Sequence, residues 1–78
     1  MGQFRDLHAT NRFALGDDSP ARVELIDVAG HRVRSLEVRG AGEHVERFER
    51  LDALAAGVYF VRLTHRGRTS TSRVALVH

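Results

Sequence analysis

The chain of 78 residues predicts an all-β antiparallel sandwich, and three observations carry that reading. Short apolar or alternating runs recur at roughly ten-residue spacing, turn formers separate them, and no stretch sustains a helical period. The 42% apolar and 28% charged content suit an ordinary soluble globular domain. A chain this short buries only about 60% of the surface it exposes when unfolded, so its core must be nearly continuous and leaves little room for a deep active site.

The elements follow in order. "RFAL" (Arg12 to Leu15) is a short apolar run, ended by the turn formers "GDDSP" with the only proline, Pro20. "ARVELIDV" alternates, with Val23 and Leu25 on one face and Glu24 and Ile26 on the other. Asp27 suits the first position of a turn and Gly30 the last, so Asp27–Gly30 joins this strand to "HRVRSLEVR" as a hairpin. "GAG" (Gly40 to Gly42) makes the next turn. In "EHVERFERL", His44, Glu46 and Phe48 alternate with Val45, Arg47 and Glu49, as in a strand. That alternation points Glu46 toward the core. An unpaired buried carboxylate is costly, so the strand should lie at an edge, carry a bulge, or pair Glu46 with an arginine.

"DALAAG" is too short to hold a helix alone and reads as a tight turn or one helical turn, ended by Gly57 where positive φ is free. "VYFVRLTH" is the strongest strand, β-branched and aromatic in a row, which predicts burial on both faces and a buried Tyr59. "RGR" (Arg66 to Arg68) is a hairpin turn, and "TSTSRVALV" is the last strand, polar first and apolar last. About six to seven short strands result, in an immunoglobulin-like arrangement over residues 10–78. Residues 1–9 read as an N-terminal extension or linker remnant.

Most chemistry is excluded at this level. There is no cysteine, hence no disulfide and no thiolate metal site. His8, His31, His44, His65 and His78 are scattered and form no paired ligand spacing. The serines Ser19, Ser35, Ser70 and Ser72 lack a nucleophile-elbow context. Neither an enzyme activity nor a cofactor is expected. All twelve basic residues are arginine, yet ten acids leave a net charge of only +2, and aromatic residues are few, so nucleic acid is not an expected partner. The opening "MGQFRDLHAT" lacks the apolar segment of a signal peptide, and no run approaches the roughly 18 apolar residues of a membrane span. An export signal, if the domain is exported, is expected upstream. Arg62, Arg66, Arg68 and Arg73 cluster along the last hairpin. They read either as a solvated face paired with Glu24, Glu37, Glu46 and Glu49, or as an electropositive patch for an acidic partner. The sequence carries no signal of oligomeric state.

Three motifs in order give the chain a family resemblance: Asp27-Val28-Ala29-Gly30 before Arg32, Gly42-Glu43-His44 at a strand start, and Leu54 to Leu63 with Gly57, Tyr59 and Arg62. With the apolar end at Arg73 to Val77, this order resembles the type A C-terminal sorting domain of the type IX secretion system, over roughly Thr10 to Val77. It is also similar to the immunoglobulin-like domain of flagellar hook-capping proteins. The family's "N-P-F-N-P"-like opening is replaced here by "FRDLHA". The resemblance implies a non-catalytic module that directs an upstream cargo in cis through the outer membrane. Its partners would be the secretion or sorting machinery, and its path the periplasm in transit, then the cell surface or medium. A spacer or adhesion domain of a multidomain extracellular enzyme and a hook-capping-like assembly domain are the alternatives.

Overall fold

The computed structural model describes residues 10–76. Six strands follow one another: β1 (Thr10–Leu15), β2 (Ala21–Asp27), β3 (Arg32–Val38), β4 (Gly42–Arg47), β5 (Gly57–His65) and β6 (Arg68–Leu76), with one 3-10 turn (Leu51–Ala53) before β5. They form two antiparallel sheets, a pair β1-β4 and a four-stranded sheet in the order β3-β2-β5-β6. The chain changes sheet after β1, after β3 and after β4, which makes a sandwich of the expected class. The expected extension over residues 1–9 lies outside the described residues, as do His8 and His78.

Both hairpins of the larger sheet form where turn chemistry placed them. Asp27 accepts the Gly30 N–H at its carbonyl and the Ala29 and His31 N–H groups at Oδ1, at 3.0, 3.0 and 2.8 Å. Gly30 sits at φ 91, a conformation that costs a residue with a Cβ far more than glycine. Arg66 and Gly67, at φ 55 and 78, are the two central residues of the β5–β6 turn. Positive φ at both is the turn whose twist matches the strands it joins.

The core lies between the sheets. Val23 and Leu25 of β2, Tyr59 and Val61 of β5, and Leu76 of β6 meet Leu15, Phe48 and Leu51 there, all buried. The Tyr59 hydroxyl donates to the Ala55 carbonyl at 2.6 Å. A tyrosine near the start of a strand, bonded to backbone just upstream where the chain crosses between sheets, is the tyrosine corner of immunoglobulin-like sandwiches.

Two local expectations are corrected. β5 is central, but only its inner face is closed: Val58, on the outer face, is 40% exposed, and Phe60, Arg62 and Thr64 are half-buried. The smaller sheet covers one side of the larger sheet and nothing among the described residues covers the other. Gly57 does not end the helical turn. Leu54 follows that turn in extended conformation, and Gly57 opens β5 at φ 152. The chain turns at Gly40–Gly42 as expected, and there it crosses between sheets, because β3 and β4 do not pair. Glu46 meets the expectation set for it: it lies on an edge strand, half-exposed, with His44 at 3.8 Å as its partner.

Candidate recognition surface

The quoted motifs organise turns and crossings. His44 closes the second: its Nε2–H donates to the Gly40 carbonyl at 2.6 Å, and its ring stacks on Phe13, directly across the β1–β4 pair, with centroids 5.6 Å apart. Gly42, at φ 106, starts the strand that carries His44. Asp27 and Gly30 build the β2–β3 turn, while Gly57 and Tyr59 set the entry to β5. These six residues are spread along the molecule and do not converge on one site.

The four arginines of the terminal hairpin divide. Residues opposite one another in a sheet share a face. Arg62 opposes Thr71 and Arg73 opposes Phe60, so both lie on the outer face, diagonally adjacent. Arg68 opposes His65, two residues from the inward Leu63, and so starts on the inner face. Arg66 sits in the turn. Arg66 and Arg68 line a common cleft with Gly16, Asp17 and His65. Arg62 and Arg66 line a separate outer groove with Arg22, Arg32 and Glu24.

Two of the four are already engaged. Arg62 holds Glu24 at 3.0 Å, and Arg32 reaches the other oxygen of the same carboxylate at 3.1 Å. Glu24 is only 4% exposed, a buried charge made tolerable by two guanidinium groups. Burial pushes its carboxyl up, but the hydrogen bonds and charges of Arg32 and Arg62 outweigh that and hold it below its ordinary value. Arg66 binds Asp17 at 2.6 Å, and His65 donates to the same carboxylate at 3.2 Å. Asp17 also accepts the Ser19 N–H at 2.8 Å, and that bond leads the causes, with Arg66 adding to it, that lower its carboxyl to about 2. The adjacent Asp18 accepts the Ala41 N–H at 2.9 Å. The "GDDS" loop therefore braces both the terminal hairpin and the crossover into β4. From the sequence alone this segment is a loop and no more. The clue was two adjacent acids in a chain rich in arginine.

The side chains of Arg68 and Arg73 make no ion pair or hydrogen bond among the described residues. Of the acids proposed to neutralise the arginine face, Glu24 does so, Glu37 reaches Arg39 at 3.9 Å, and Glu46 meets a histidine. Glu49 contributes its backbone carbonyl, which accepts from Arg34.

Among the described residues, no group of three histidine, aspartate or glutamate side chains is placed to hold a metal ion. What the fold does offer, among the described residues, is a sandwich whose last hairpin presents an open strand, two unengaged arginine side chains and shallow clefts. That defines a small antiparallel β-sandwich. A family model described as "Secretion system C-terminal sorting domain" matches residues 9–77, nearly the whole chain. The chain belongs to that family, the C-terminal sorting domains of type IX secretion. No curated protein and no solved structure gives a significant match.

Proposed function

We propose that this domain is a non-catalytic, transferable address. It is read as a folded surface by the secretion machinery, and it carries a cargo joined to its N-terminal side from the periplasm through the outer membrane to the surface or medium. The observation that supports the reading most is the family match over residues 9–77 on a fold whose last hairpin lies at a sheet edge. Among the described residues no helix is long and apolar enough to cross a membrane. The recognised surface is the hairpin β5–β6, with Arg73 and Arg68 as its unengaged charges. Arg62 and Arg66 serve first as braces, to Glu24 and Asp17.

The test is a fusion. Placed at the C-terminus of a periplasmic reporter, in a bacterium with a working type IX system, the domain carries the reporter to the surface or medium. Removal of Arg73 to His78 takes Val74 and Leu76 from the core and leaves β5 half-unpaired, and it traps the reporter in the periplasm. An intact, folded fusion that stays in the periplasm while the host exports its own cargo rules the address out.

A further inference from the structure

The open edge of β6 differs from every other edge in the sandwich. β6 is nine residues long, whereas β3 has seven and β1 and β4 six each. Its register with β5 runs from His65↔Arg68 to Gly57↔Leu76 without a shift. The β3 edge is guarded: its pairing with β2 carries a register shift, and Arg34 spans from it to the Glu49 and Arg50 carbonyls. Natural edges are blunted by shortness, bulges, proline, covering chain or charged side chains, and among the described residues β6 has only the last, in Arg68 and Arg73.

Its hydrogen-bonding groups can be assigned. A two-residue turn makes His65 and Arg68 a hydrogen-bonded pair, and such pairs then alternate along an antiparallel ladder. The backbones of Ser70, Ser72 and Val74 thus face β5, and those of Thr69, Thr71, Arg73 and Ala75 face outward. Beside this edge, Asn11, Phe13, Ser70, Ser72 and Val74 line a cleft of about 360 Å³ between β1 and β6. The Asn11 Nδ2 there is buried without a hydrogen-bond partner. A buried amide donor left unmet is costly, and an incoming chain that brings an acceptor relieves it.

We propose that β6 is a strand-addition site, at which an extended acidic segment of a partner protein extends the larger sheet. The charges choose the occupant. Arg68 and Arg73 lie five positions apart (73 − 68), on opposite faces, and neither has a counter-ion among the described residues. They repel a second copy of the same strand and attract one with carboxylates on both faces. Backbone bonds supply the affinity in such complexes, and alternate side chains supply the selectivity. This inference rests on the address reading above and names how the address is read.

The experiment uses the full chain and a synthetic peptide of about ten residues, alternating threonine and valine with glutamates placed to meet both arginines. A matched peptide has lysines in their place. Amide exchange is followed by NMR. The glutamate peptide is expected to slow exchange at Thr69, Thr71 and Arg73 by about tenfold or more, and the lysine peptide to leave it unchanged. Thr71→Pro removes an outward N–H while leaving the ladder to β5 intact, as proline at an edge can. It abolishes the effect while Ser70 and Ser72 stay protected. The double variant Arg68→Glu and Arg73→Glu, which leaves the backbone alone, exchanges the preference for that of the lysine peptide. Protection of the outward amides in the free chain overturns the proposal, and so does equal binding of both peptides or none. In the reporter fusion the two ideas separate. Export of the parent with retention of Thr71→Pro supports strand addition. Equal export of both overturns strand addition and leaves the address standing, while failure of the parent removes the address itself.

Discussion

Tyr59 shows how much one side chain does here. Its ring is 7% exposed in the core, and its hydroxyl fixes the Ala55 carbonyl at the crossing into β5. Tyr59→Phe keeps the packing and strands that carbonyl, so it is expected to lower stability by about 1 kcal/mol. Tyr59→Ala also loses the ring and should lose about 3–5 kcal/mol, much of the roughly 5–10 kcal/mol that such a domain holds. Urea denaturation of the three proteins checks both values. A phenylalanine variant as damaged as the alanine variant would place the hydroxyl, not the ring, at the centre of the effect. The burial of Tyr59 was legible from its neighbours Val58, Phe60 and Val61, but its hydrogen bond was not, since a carbonyl acceptor has no sequence signature.

At the level of elements, what was legible is what is local. The Asp27–Gly30 turn is written within five residues, because its acceptor, its donors and its positive-φ glycine are consecutive. Asp27→Ala removes the side-chain acceptor and is expected to lower stability by about 1 kcal/mol, whereas Asp27→Asn keeps an oxygen in place and stays within about half of that. Thermal melts of both distinguish an acceptor role from a charge role: if asparagine is as harmful as alanine, it is the charge beside His31 that matters. The Gly40–Gly42 turn reads the same whether it returns a chain to its own sheet or sends it to the other. That choice depends on where β1 waits, thirty-one residues before His44 at Phe13 (44 − 13). Glu24 was expected against the arginine face, but long-range pairing hid which arginines it meets and hid the part of Asp17. Glu24 finds Arg32 eight positions away and Arg62 thirty-eight away, and Asp17 finds Arg66 at forty-nine. The strand pattern put Glu24 on the outer face correctly, but nothing local said that it would be buried there.

Over the whole molecule these carboxylates act together on pH. Asp17 is lowered to about 2, chiefly by the Ser19 N–H, Glu24 falls below its ordinary 4.5 despite burial, and Asp27 falls below 3.8 through the His31 N–H. Each has a folded value below its unfolded one, so each contributes stability that is full above the unfolded value and lost as pH falls through the folded one. Stability is expected to be level from neutral pH down to roughly 4.5, then to fall steadily toward about 2. Glu24→Gln should flatten the upper part of that fall, and Asp17→Asn the lower part. Urea midpoints across the pH range, compared among the three proteins, test the assignment, and parallel curves would refute it. The open strand β6 carries one more consequence, which is mechanical. Among the described residues it pairs on one side only and runs antiparallel to β5, so tension applied at its Leu76 end, away from β5, loads the ladder one rung at a time, starting opposite Gly57, which offers no side chain to resist. The same strand pulled along its length from the turn must break its rungs together. A domain firm in solution thus has a zipper end and a shear end, and the direction of pull decides how readily it opens.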